Sequence, residues 1–559
     1  MKDPKLIAHW PLAGDTDEII ASHHGEAIGI TFCSGPSGKV SGAAEFDGRR
    51  GRVQIPDHPD LRLGTHEFTF TAWVRSHSPM THTFGDVLSK FDPVGRCGIN
   101  IHVSGSSPAY SAMSDQRHVH FGIDDGYIGQ WADLGKPEAT NSNVTATVTW
   151  RGDLYASIAD ADTPDKACRV FRYGQDQIWH DCGRLGNDPN VLSVQSMLVH
   201  NDRIYAGSGN WDWVKAFGKF PGFKPSKVHV YEYQGNTEWR DLGQVGEGYR
   251  IMCLGAFQGD LYAGMDSGDG GGKVFCYRDD QWNDCGAPDG LNIEGFLSMG
   301  GDLYVCTHGS IYRYLGGTSW ECLGKDPFDI NQIHSMVEVG GQLLIGTWPQ
   351  GYVLRLEPSG EWVIAGRLGI PEGLHECNEV MDLRVHNGKL YAALIPKSQV
   401  WRYESDGNWT LMASLASRED WLPDDPDSWC RVTALNSFRG QLIAATGSCF
   451  SRSEHQDTKD TLGRVHALTI GQVCSHEYDI GGKWTHITAT REGKETRLYI
   501  DGKLSASSQS PDRTTFDLTN VSPLHIGYGP QTYFRGAIAD VRLYGSTLTE
   551  SEIGSIVNQ

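Results

Sequence analysis

Apolar and polar residues alternate along this chain in short runs bounded by Gly, Asp and Asn, a pattern that predicts strands rather than helices. "FTFTAWVRS" at 68–76 and "DVLSKFD" at 86–92 show it near one end, and "KWTHITATREGKETRLYIDGKL" at 483–504 near the other. The stretch between them repeats. "RGDLYAS" at 151, "NDRIYAG" at 201, "QGDLYAG" at 258, "GGDLYVC" at 300, "GGQLLIG" at 340, "NGKLYAA" at 387 and "RGQLIAA" at 439 read as one hairpin written seven times. Each unit reads as strand, turn, strand, loop, strand. The first six end in a Trp-led strand, at Trp179, Trp239, Trp282, Trp320, Trp362 and Trp409. Four-stranded units at a period of about 40–60 residues predict a seven-bladed β-propeller. The seventh unit has no Trp strand of its own, whereas "GQWADLG" at 129–135 precedes the first unit. That segment would close the ring by pairing Trp131 with residues near 464–468, which removes an open sheet edge. In the alternative, "SHEYDIG" at 475–481 completes the seventh unit and Trp131 belongs to the flanking sandwich.

The two ends share a grammar. "KWTHITA" runs into "LYIDGK", and the chain closes with "GAIADVRLY" and "LTESEI". These motifs resemble the laminin-G-like, concanavalin-A-like jelly-roll family. Neither end has strands enough for a closed sandwich. The expected architecture is therefore all-β: a split jelly-roll β-sandwich at 1–127 and 476–559, with the propeller inserted at 128–475. The resemblance also implies a structural calcium at Asp540 of "AIADVRLY", completed by Asp15 or Asp17 and a backbone oxygen near Gly48. The insertion resembles, in architecture only, propeller-type polysaccharide lyases. No catalytic motif of theirs matches residue by residue.

Charge and composition narrow the function. Forty-eight basic against 69 acidic residues give a net charge of −21, which disfavours nucleic acid and anionic membranes as partners. No run of 18 apolar residues suggests a membrane span, and the opening "MKDPKLIAHW" has no signal-peptide segment. A monomer acting on an acidic poly- or oligosaccharide outside the cell, without an organic cofactor, is the expectation. The 13 cysteines include no zinc spacing and are read as buried thiols, with one or two cross-strand disulfides as the alternative. His23 with His24, and His118 with His120, lack a third ligand and are read as surface or strand residues.

Candidate chemistry gathers where inner strands begin and where second strands end, since these segments share one face of a propeller. Counting nine residues back from each turn glycine or its counterpart gives Asn143, Leu192, Arg250, Asn292, Gln332, Glu379 and Arg431. Two further in are Thr145, Val194, Met252, Glu294, His334, Met381 and Thr433. The loops after second strands add His308, Trp348 and Lys397, with Trp211, Trp213 and Lys215 on the long loop at 209–227. Trp faces beside charged groups suit sugars, and Arg suits a carboxylate. One reading is a lyase that cleaves next to a uronate, such as a rhamnosyl-glucuronate or ulvan-like linkage. Arg250 or Arg431 would neutralise the carboxylate and His308 or His334 would be the base. The alternatives are a glycoside hydrolase using Glu294 and Glu379, and a glycan-binding protein without catalysis.

Overall fold

The computed structural model describes residues 5–77, 83–106, 112–141, 143–159, 164–209, 226–267, 271–324, 328, 330–369, 378–416, 430–448, 461–510 and 515–559. Trp211, Trp213 and Lys215 lie outside the described residues. The two ends of the chain interleave. Phe68–Ser76 from one end lies between Thr485–Glu492 and Arg535–Tyr544 from the other, so half-buried strands more than 400 positions apart complete one sheet. A second sheet carries Arg52–Ile55, Leu524–Ile526, Thr83–Asp92, Cys97–Ser104 and His118–Asp133 in order. Trp10, Phe46, Phe68, Phe121, Phe516, Phe534 and Ile487 fill the core of this jelly-roll-type domain.

The intervening chain forms propeller-like sheets of antiparallel strands. Four stand apart as four-stranded sheets, beginning at Val144–Trp150, Ile293–Met299, Gln332–Val339 and Glu379–His386. The expected count of seven separate blades is therefore not what the sheets display. Eight strands from Ser193–His200 to Gln281–Asp284 merge into one sheet through the pair Gly209↔Arg250, and the last unit merges with the jelly-roll sheet. The first strands nevertheless touch in a closed order: Val144–Trp150, Ser193–His200, Arg250–Phe257, Ile293–Met299, Gln332–Val339, Glu379–His386, Cys430–Phe438, and back to Val144–Trp150.

Trp131 pairs with Leu468, Ala132 with Ala467 and Asp133 with His466. "GQWADLG" is thus the outer strand beside Val465–His476, and the local chemistry of the repeat explains why it resembles its later copies. In this segment and the next three copies, an Asp side chain accepts the amide of the glycine two residues on: Asp133 from Gly135, Asp181 from Gly183, Asp241 from Gly243, Asp284 from Gly286. The glycines take φ of +86° to +93°, a conformation that costs a residue with a Cβ. In four units the Trp indole then donates to the backbone of the unit before it. Trp239 reaches Cys182 O, Trp320 reaches Cys285 O and Trp409 reaches Ala365 O, each three residues after the preceding Trp. Trp179 does the same to Leu134 O at 2.9 Å, three residues after Trp131. The first unit treats the early segment as its predecessor.

His118–Asp133 and Val465–His476 run unbroken from one domain into the other, with bulges opposite Ile470 at the crossing. Arg96 anchors that joint, donating to Asp124 Oδ2 at 2.6 Å and to the carbonyls of Gly126 and Tyr127. Asn387 of the propeller donates to Ile123 O and Ile470 O. Leu468, 1% exposed, packs in the core shared by the first and last units. Leu468→Ala should cost about 2–5 kcal/mol in denaturant unfolding, whereas Leu411→Ala on the exposed outer strand should stay within about 0.5 kcal/mol.

Candidate functional site

Each inner strand is bulged near its start, at Thr145, Gln195, Met252, Glu294, His334, Met381 and Thr433. A bulge re-aims one side chain out of the alternation, so these residues share a register. Six match the positions counted from the sequence. In the second unit the bulged residue is Gln195, and Val194 is core. The reason is the turn: Asn201 and Asp202 both take positive φ, and Asp202 stands where the other units have glycine, as the paired positive φ of this hairpin turn requires.

Glu294 is 1% exposed. Its Oε1 lies 2.6 Å from His308 Nε2, and His308 follows directly on the strand Asp302–Thr307 whose end pairs with Ile293. Its Oε2 lies 3.3 Å from His334 Nδ1 on the next inner strand, close enough for an ion pair though not aligned as a hydrogen bond. The other nitrogen of His334, Nε2, is 2.9 Å from Glu379 Oε1 on the strand after that and 2.5 Å from Gln332 Oε1. The result is a chain in which imidazoles and carboxylates alternate across three adjacent units: His308, Glu294, His334, Glu379.

Burial and charge oppose each other at Glu294, His334 and Glu379. Burial pushes the Glu294 carboxyl up, but His308 and His334 together hold it well below the usual carboxylate range. Glu379 is likewise raised by burial and lowered more by His334 and then Arg431. Burial alone would lower His334, yet Glu379 and Glu294 raise it to about 9. The sign of the linkage follows. The contribution of His334 is complete below about 6.5 and lost as pH rises through about 9. Those of Glu294 and Glu379 are present above about 4.5 and lost as pH falls. An NMR titration should therefore find the His334 ring cationic at pH 7, with a midpoint near 9.

Arg431 belongs to this group. It is buried, acts on Glu379, and its Nη1 lies 3.7 Å from Met381 Sδ. Arg250 differs from its expected role, because its Nε donates at 2.7 Å to Asp266, a fully buried carboxylate paired with it across the hairpin. That guanidinium is already balanced. Trp348 pairs with Gln332, and Lys397 lies two residues past Ile395, which pairs with Glu379, so both lie at the same end as the cluster. Asn143 precedes Val144–Trp150 at that end. Gln332 and Asp266 were picked out by position in the sequence, but their pairing with His334 and Arg250 was not.

In the jelly roll, Asp540 does not fit a calcium ligand. It sits at a bulge with φ +53°, which turns it to His9 Nε2 at 2.6 Å and to Arg542 at 2.9 Å. A carboxylate shared by a guanidinium and an imidazole offers little to a divalent cation. Asp15 is exposed and accepts the amide of Asp17. The cysteines among the described residues are free thiols, Cys276 and Cys285 included. No helix among the described residues is long and apolar enough to cross a membrane.

No curated protein matches the chain. Solved structures that align with the chain include virginiamycin B lyase from Staphylococcus aureus, at 10% identity over 61% of this chain and 99% of that one, TM-score 0.43. A GH74 enzyme of Niastella koreensis shares 13% identity over 70% of this chain and 62% of its own, TM-score 0.36. Trypanosoma rangeli sialidase, in complex with the inhibitor DANA, shares 12% over 78% and 94%, TM-score 0.28. Residues 427–554 match the family model of the concanavalin A-like lectin/glucanases superfamily, so the chain carries a domain of that family alongside its propeller-like sheets.

Proposed function

We propose that this chain is a polysaccharide lyase that cleaves a uronate-containing glycan by β-elimination at the mouth of a seven-bladed propeller. The blade count takes the eight-stranded sheet as two blades and the strands Cys430–Phe438, Gln441–Ser448 and Val465–His476 with the Trp131 segment as the last. The closed order of the inner strands supports it.

The observation that carries the reaction is the His308–Glu294 pair with His334 between Glu294 and Glu379. With Glu294 ionised, its Oε1 accepts the Nε2–H of His308, which leaves a lone pair on Nδ1 of a quarter-exposed ring. That nitrogen takes the uronate C5 proton. The electron pair forms the C4–C5 double bond, the C4–O bond breaks, and the leaving oxygen takes a proton from water, which recovers the C5 proton from His308. The His334 imidazolium and Arg431 stabilise the charge that builds on the carboxylate. Lys397, Trp348 and Asn143 are placed for sugar contacts at the rim.

A hydrolase needs one carboxyl held protonated as general acid. Glu294 and Glu379 are both held low, which favours elimination. Incubation with a panel of acidic glycans should give products that absorb as conjugated unsaturated uronates. Products that carry an added water would indicate hydrolysis, and binding without turnover a lectin-like role.

A further inference from the structure

On sequence alone His23 has no metal ligand beside it except His24. The fold supplies two others. Antiparallel pairing of Glu26–Ile28 with Arg52–Ile55 brings the loop before the first strand against the turn after the second. There His23 meets His58 and Asp60. His58 caps the short turn Pro59–Leu61, its Nδ1 accepting the Asp60 amide at 3.2 Å, which leaves Nε2 as the nitrogen it can offer a metal. Asp60 Oδ2 stands 3.4 Å from His23 Nε2 and 3.4 Å from His58 Nδ1. The two rings lie 4.4 Å apart, and one ligand atom from each of the three residues falls within 4.8 Å of the others.

A second observation singles out His23. Its side chain is 8% exposed, and its Nε2 is buried without a hydrogen-bond partner. The Trp10 indole holds the His23 carbonyl at 2.8 Å, which fixes the backbone that carries the ring. A buried imidazole nitrogen left unsatisfied costs about 1–3 kcal/mol, and 3.4 Å is long for a charge-assisted bond to Asp60. The spacing suits a metal instead. Ligand atoms bound tetrahedrally to zinc at about 2.0–2.1 Å stand about 3.4 Å from one another.

We propose that His23, His58 and Asp60 form a binding site for a zinc-type divalent ion on the jelly roll, with two imidazoles, one carboxylate and a fourth position open to solvent. His58 and Asp60 are both about half exposed, so the ion has an entry path while His23 anchors it from inside. The bound ion ties the loop preceding Glu26 to the turn following Ile55. His24 takes no part: it is not among the residues whose ligand atoms gather there, and its Nδ1 accepts the Glu18 amide at 3.1 Å.

Calorimetric titration of zinc chloride into the tag-free full chain at neutral pH tests this. One ion per chain is expected, and cobalt(II) in its place should give the visible absorption of a tetrahedral site. His58→Ala and Asp60→Asn, both at exposed positions that spare the core, should each weaken binding by about tenfold or more. His24→Ala should leave it unchanged. Binding weaker than about 100 µM, or equal affinity in the His58→Ala and Asp60→Asn variants, would overturn the site.

Discussion

His308→Gln should lower turnover of a uronate glycan by about 10²–10⁴-fold and leave the unfolding temperature close to that of the parent. The glutamine amide can still donate to Glu294 Oε1, which His308 Nε2 approaches at 2.6 Å, so the buried carboxylate keeps a partner. The amide cannot take a proton, so only the base is lost. His334→Gln is expected to behave differently. It removes the positive charge that separates Glu294 from Glu379, both nearly fully buried, and like charges in one buried site cannot both ionise. That variant should lose stability as well as activity, and one carboxyl should rise toward neutrality. A unit-by-unit comparison of kcat and unfolding temperature for the two variants separates chemistry from support.

The second large effect belongs to the joint between the domains. Asp124 is fully buried and Arg96 nearly so, joined at 2.6 Å. Burial pushes the Asp124 carboxyl up and Arg96 pulls it back down, to about 6. Asp124→Ala strands a buried guanidinium and should cost about 3–5 kcal/mol, read from urea unfolding. The double change Arg96→Met with Asp124→Leu should recover most of that loss, because no charge is then left unpaired. Since Arg96 also holds Gly126 O and Tyr127 O, the single variant should loosen the crossing of His118–Asp133 into the propeller. Hydrogen exchange at 465–470 would report this directly.

Much of this was written in short-range chemistry. The Asp-x-Gly turn is local and a Trp stands two residues before its Asp, so the sequence copy at 129–135 could be matched to its later relatives and its pairing with 464–468 expected. The split jelly roll was legible for the same reason, through strand motifs at both ends. What escaped depends on register between distant segments. The second unit was counted one residue early because Asp202 stands where the other units have the turn glycine; counted from Asp202, the same spacing leads to Gln195. Arg250 faces Asp266 because a hairpin pairs them, and this removes a cation that looked free in the sequence. Asp540 meets His9 because a bulge turns it there. His58 and Asp60 approach His23 only once two short strands pair. Glu294, His308, His334 and Glu379 were each nominated separately, but their order as an alternating chain across three units needed the closed ring.

The reaction assigned to that chain is the central claim, and the nature of the bond-breaking step tests it most directly. The full-length protein is incubated with uronate-containing glycans, and the products are weighed by mass spectrometry while their absorbance is followed. Elimination predicts fragments whose masses sum to that of the substrate, with a new conjugated chromophore that disappears in His308→Gln. Fragments heavier by one water with no chromophore, or full activity in His308→Gln, would contradict it.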